Sequence, residues 1–182
     1  MIETVGERGY GATTIANVIA AAGVSRRTYY ENFKNKEDCF RAAYEASFEF
    51  LAAEVGAAGA EEDWPESLRA GLERLLGSLA SHPELAAFFL TAPASAGDEV
   101  AARHHAALRE LVGALVARAP RQSSKAAATR VEALAGGLSR LLEMRVSAGR
   151  ADELPGLLPD LVELFLRPYA GSKEAIRIAR GA

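Results

Sequence analysis

Between Ser25 and Lys36 the chain reads SRRTYYENFKNK, which sets four basic residues (Arg26, Arg27, Lys34, Lys36) against one acid (Glu31). The local balance is +3 in a protein whose formal net charge is −3, so positive charge is focused on this stretch. Arg26, Arg27, Thr28 and Tyr30 place guanidinium groups, a hydroxyl and a phenol on about one and a half helical turns, a set suited to phosphate oxygens and base edges. Tyr29 and Phe33 stand four apart and are expected to face inward, leaving Arg26, Arg27, Thr28 and Tyr30 outside, with Lys34 and Lys36 following. Two arginines favour guanine in a major groove and serve equally well to hold phosphates. Other chemistries are not expected. His104 and His105 are adjacent, about 100 degrees apart on a helix, which is not the i, i+4 pair of a helical zinc site. The sequence has no glycine-rich phosphate loop and no Gly-x-Ser-x-Gly elbow, so neither catalysis, a metal nor a cofactor is expected.

Something must present those side chains. Ile15, Val18, Ile19 and Ala22 recur at i, i+3, i+4 and i+7, one face of a short helix that Thr13 or Thr14 can cap. Gly23 ends it, being able to enter the left-handed region at little steric cost. Val24 is expected to plug the gap between two helices, and Ser25 to cap a second one over roughly 25–31. The prediction is helix, tight glycine turn, helix.

Downstream, apolar residues keep helical spacing throughout. Phe40, Tyr44, Ser47, Phe48, Leu51 and Val55 predict one helix over 37–55. Residues 56–63 read as a loop, and Pro65 suits the first turn of a helix buried through Leu68, Leu72, Leu75, Leu76 and Leu79. His82-Pro83 breaks it, and a short helix with Leu85, Phe88 and Phe89 follows. His104, Leu108, Leu111, Val112 and Leu115 predict a helix from Asp98 to about Ala119. Pro120 and RQSS precede a long helix over about 124–147, and a final apolar run spans Leu154 to Tyr169. No alternating strand pattern is present, so the fold class is all-α. With 182 residues, 49 % of them hydrophobic, the chain can build a sizeable core. The absence of any run of 18 apolar residues or leader pattern, together with the single cysteine, Cys39, leads to the expectation of a cytoplasmic protein with no membrane partner.

The stretch GYGATTIANVIAAAGVSRRTYYENFKNKEDCF resembles the DNA-binding domain of the TetR family of bacterial transcriptional regulators. It has the Gly-Tyr before the motif, a Thr opening the first helix, Ala-Gly-Val-Ser at the turn, Thr-Tyr-Tyr-x-x-Phe in the second helix and a Lys at the next. The resemblance implies phosphate contacts from Thr14, Tyr30 and Lys36, a place near the DNA backbone for Asn32, and Arg26, Arg27 and Thr28 at the major groove beside the capping Ser25. It divides the chain into a helix-turn-helix domain at 1–44 and a ligand-binding and dimerisation domain at 45–182. Two departures stand out: Ile19 replaces a customary small Ala, and the family's first helix is longer than Met1 to Arg8 permits. The latter leads to the expectation of a truncated first helix, from either a true start upstream of Met1 or a clipped DNA-binding domain.

The resemblance further implies a small-molecule pocket, for which Leu72, Leu76, Phe88, Phe89, His104, His105, Leu108, Leu111, Leu138 and Leu142 are the candidates. Thr91, Arg140 and Arg145 are further polar candidates. The last two long helices carry more apolar surface than one chain needs to bury. Leu134, Leu138, Leu141, Leu157, Leu161 and Phe165 are therefore expected at the face of a homodimer, with Ala135, Gly136 and Gly137 permitting close approach. The implied function is a ligand-responsive repressor, released from a palindromic DNA operator by a small-molecule inducer. The rival is a helical small-molecule-binding dimer that has lost DNA binding.

Overall fold

Every regular element among the described residues is helical, as the period of the apolar positions requires. The structure, a computed structural model, describes residues 1–57, 63–120 and 124–180. The expected loop segments at 58–62 and 121–123 lie outside them. The helices are α1 (Ile2–Arg8), α2 (Ile15–Ala22), α3 (Arg26–Asn32), α4 (Lys36–Gly56), α5 (Trp64–Ser81), α6 (Pro83–Thr91), α7 (Asp98–Val116), α8 (Ser124–Ser147), α9 (Leu158–Ala170) and α10 (Ser172–Ala179). Short 3-10 turns occupy Pro93–Ser95 and Ala151–Leu157. The second corrects the expectation of one helical run from Leu154, since the α-helix starts only at Leu158.

α4 is the spine. Phe40, Tyr44, Ser47, Leu51 and Val55 are all buried along one side of it, the i+4, i+3 stripe of a core helix. Phe40 and Tyr44 meet α6 through rings: Phe40 lies 4.7 Å from Phe88, and Tyr44 stacks on Phe89 at 5.0 Å and 9°. α5 covers α4 with Leu68, Leu72, Leu75, Leu76 and Leu79, all buried, and Trp64 at its start donates from Nε1 to the Leu115 carbonyl of α7 (3.1 Å). α8 packs on α6 and α7, while α9 packs on α5 and carries α10.

The buried side chains fall into two groups. A large core runs from Val5 and Tyr10 through α4 to α10, and a small one holds Val18, Tyr29 and Cys39. α1 lies mainly against α6 rather than against α2. Gly6 makes this approach possible: a Cβ there would stand 2.5 Å from the Glu84 carbonyl oxygen and 2.8 Å from its Cα. A division after residue 44 thus cuts through α4, and α1 shares the large core with the helices beyond it.

Candidate nucleic-acid interface

Local chemistry fixes α2 and α3. Thr14, not Thr13, caps α2: its Oγ1 accepts from the Asn17 backbone N–H (3.2 Å) while Asn17 Oδ1 accepts from Thr14 N–H (2.9 Å), a reciprocal capping box. Thr13 is buried instead, its hydroxyl 2.9 Å from the Gly9 carbonyl oxygen. Gly23 closes α2 at φ 64°, in the left-handed region, and the next N–H, of Val24, reaches back to the Ile19 carbonyl (3.3 Å). Val24 does not plug the space between the helices as expected; it is 39 % exposed, because the turn carries it over the surface. Ser25 caps α3, its Oγ accepting from Thr28 N–H at 3.0 Å and lying 2.9 Å from Thr28 Oγ1.

Tyr29 anchors α3. It is buried, its hydroxyl donates to the Asn35 carbonyl (3.1 Å), its ring meets Phe33, and burial pushes its phenol well above the usual value. With Tyr29 inward, Arg26, Arg27, Thr28 and Tyr30 are exposed on the opposite side, Tyr30 by 49 %. Arg27 Nε donates to Glu31 Oε1 at 2.8 Å, an exposed pair that holds the guanidinium only weakly. Asn32 also stays on the surface, donating to the Thr28 carbonyl (2.8 Å). Six of the eight expected contact residues, Ser25, Arg26, Arg27, Thr28, Tyr30 and Asn32, therefore lie on or beside one exposed helix, and Thr14 is exposed at the start of the helix before it.

Lys36 is placed differently. Its Nζ donates to the carbonyls of Tyr10 and Thr13, both at 3.1 Å, and lies 4.0 Å from the centre of the Tyr10 ring. Two of its three N–H donors are thus committed to the loop before α2, a role that the expected phosphate contact does not include. Tyr10 completes the arrangement by donating to Glu37 Oε1 (3.1 Å) and meeting Phe40 edge-on. Burial, followed by the Glu37 carboxylate, raises the Tyr10 phenol to about 12. This latch between the loop and α4 escaped sequence reasoning, although the Gly-Tyr pair ahead of the motif was its signal.

Residues 2–43 match the family model described as "Bacterial regulatory proteins, tetR family". Over those residues the chain is similar to that family. Its fold is shared over most of its length. A fatty acid degradation regulator, FadR, from Bacillus halodurans superposes with a TM-score of 0.76 at 19 % identity, covering 91 % of this chain and 93 % of that one. A TetR-like regulator from Rhodococcus sp. RHA1 gives 0.63 at 23 % identity, with 92 % and 90 % covered. No curated protein matches the sequence. No described helix is long and apolar enough to cross a membrane.

In the body of the chain, the residues expected at a pocket and at a dimer face lie mostly in the core. Of the ten residues expected to line a small-molecule pocket, Leu72, Leu76, Phe88, Phe89, His104, Leu111, Leu138 and Leu142 are buried in the core against one another and their neighbours, while His105 is exposed. Among the described cavities, His105 and Leu108 border a cleft of about 430 Å3 between α7 and α8. Leucine and phenylalanine from α5, α6, α7 and α8 pack together there in the large core. Of the six residues expected at a dimer face, Leu134, Leu138, Leu157, Leu161 and Phe165 are buried within the single chain, and Leu141 is half-buried. Exposed apolar surface on these helices falls instead at Met144 of α8 and Leu164 of α9, 54 % and 50 % exposed.

His104 is the one buried histidine of the described core. Its Nδ1 lies 2.7 Å from the Tyr44 hydroxyl, and its ring meets Phe89 edge-on at 5.5 Å. Burial, and secondarily the neighbouring His105, lowers its pKa to about 4, so the ring is neutral at neutral pH. Thr91, another polar candidate, turns its hydroxyl to the Ala87 carbonyl of its own helix (2.7 Å).

Proposed function

We propose that this regulator binds a roughly palindromic operator as a two-fold dimer, with α3 in the major groove, and that a small molecule releases it. The observation that carries this reading is the exposed face of α3. Arg26, Arg27, Thr28 and Tyr30 stand free of the core because Tyr29 alone anchors the helix. In this role the arginines and Thr28 reach base edges, while Thr14, Tyr30 and Asn32 approach phosphates beside the capped helix starts. Ser25 supports the N-terminal turn that enters the groove. The third N–H of Lys36 remains for a phosphate while the other two hold the loop. Met144 and Leu164, with Gly136 and Gly137 bare beside them on α8, support a dimer formed through the outer faces of α8 and α9. Release requires only that the ligand prefer the conformation that does not bind DNA.

The test is binding to a labelled fragment from beside the coding region, titrated with salt against unrelated DNA. Specific binding with a steep salt dependence is expected, and its loss in the double variant Arg27→Ala/Tyr30→Ala with the dimer intact. An unchanged affinity in that variant would refute the assignment of α3.

A further inference from the structure

The two arginines on the exposed face of α3 differ in what lies one turn beyond them. Arg26 has no hydrogen-bond or ion-pair partner among the described residues, and Tyr30, one turn on, offers it no carboxylate. Arg27 has Glu31 one turn on, and its Nε donates to Glu31 Oε1 at 2.8 Å.

Glu31 is the only acid between Gly9 and Lys36. A carboxylate on a face that approaches phosphates is unfavourable, because duplex DNA carries one negative charge per about 1.7 Å of its axis. The pair does little for the helix either. A basic residue one turn ahead of an acidic one is the less favourable order along the helix dipole, and exposed pairs add little stability. What the contact does change is the guanidinium. With Nε engaged, the N–H groups of Nη1 and Nη2 remain, an end-on fork of donors that matches O6 and N7 of guanine in the major groove.

We infer that Arg27 and Glu31 act as one guanine-reading unit, Arg27 donating to O6 and N7 and Glu31, a positioning residue, fixing the plane of its guanidinium. The inference rests on the reading of α3 as the helix that enters the major groove. Solvent screens the pair in the free protein, and displacing that water in the groove strengthens the same contact, so the fork is held most firmly where it is used. Ordering the donors beforehand also reduces what binding must spend on immobilising a long side chain. The unit is neutral as a whole, so it adds base selectivity with little attraction for phosphates, whereas Arg26 keeps its full charge for the duplex.

The probe is a pool of randomised duplexes, selected by the intact protein and sequenced to give base preference position by position, with salt titrations on one enriched duplex and one unrelated duplex. The wild type is expected to select guanine at one position in each half-site. Glu31→Ala is expected to reduce that preference about fivefold or more while the other positions keep theirs. The same variant should bind the unrelated duplex more tightly, its log affinity falling more steeply with log salt by about 1, because the freed Arg27 can neutralise a phosphate. Glu31→Gln, which keeps an acceptor at the same reach, should retain more of the guanine preference than Glu31→Ala. Arg27→Ala should abolish it, with no further loss on adding Glu31→Ala, and Arg26→Ala should leave it in place. Unchanged preferences in Glu31→Ala, or an equal weakening at every position, would overturn the unit. So would a change at a position that Arg27→Ala does not touch, which would make Glu31 a reader of cytosine in its own right. A wild-type protein that enriches no sequence would overturn the reading of α3 itself, and the unit with it.

Discussion

Replacing Gly6 with alanine tests the joint between α1 and α6, because two effects of opposite sign meet there. In a helix interior, alanine is worth about 1 kcal/mol over glycine, so on local grounds Gly6→Ala should stabilise. The methyl group, however, would lie 2.5 Å from the Glu84 carbonyl oxygen, 2.8 Å from its Cα and 3.0 Å from its carbonyl carbon. These are backbone atoms of α6, which no side-chain rotation can remove, and overpacking of this kind costs about 1–3 kcal/mol. The clash should win, leaving the protein up to about 2 kcal/mol less stable, or as much as roughly 8 °C lower in Tm for a chain of this size. Gly77→Ala in α5 is the matched control: a Cβ there meets nothing within 4 Å, so only the propensity gain of about 1 kcal/mol remains. Thermal unfolding followed by circular dichroism reads both. A Gly6→Ala protein as stable as Gly77→Ala would refute the close approach of α1 to α6 and, with it, the inclusion of α1 in the body.

The buried His104 makes stability depend on pH. Its folded pKa of about 4 lies below the unfolded value of 6.5, so its contribution is fully present above pH 6.5 and is lost as pH falls toward 4. Linkage gives a loss of about 2 kcal/mol by pH 5, which urea titrations of wild type and His104→Gln should resolve as a slope present only in the former. Lys36→Met should lower stability by about 1–2 kcal/mol through loss of two hydrogen bonds and the Tyr10 contact. If Lys36 served phosphate alone, Tm would stay fixed and only the salt dependence of DNA binding would change. Leu164→Asp should raise the dimer dissociation constant at least tenfold in sedimentation experiments without altering helix content, and an unchanged constant would move the interface elsewhere.

The parts legible in the sequence are those whose causes lie within a few residues. Thr14, Gly23 and Ser25 act on backbone groups one turn away, so the limits of α2 and α3 follow from local chemistry. Tyr29 and Phe33 reveal an inward face by spacing alone. Lys36 is different: its acceptors, Thr13 and Tyr10, are 23 and 26 positions back, and nothing in its neighbourhood distinguishes a lysine that holds a loop from one that awaits a phosphate. The leucines of α8 pose a related problem. Periodicity identifies the side of a helix that must be covered, but not whether α6 and α7 or a second chain covers it, and Leu134 and Leu138 are covered from within. Glu84 is likewise invisible from Gly6, since only the folded chain brings the two together.

The small core of the head has a consequence for descent. Val18, Tyr29 and Cys39, with Ile15, Ile19 and Phe33 around them, hold α2 and α3 together, and none of Arg26, Arg27 or Thr28 belongs to that group. Exchanges at those three exposed positions fall in the class that shifts stability by only about 0.5 kcal/mol either way. After gene duplication, a copy could therefore accumulate new recognition residues in any order without passing through an unfolded intermediate sequence. The division of labour between one buried tyrosine and its exposed neighbours leaves the outer face of α3 free to change while its mount stays as it is.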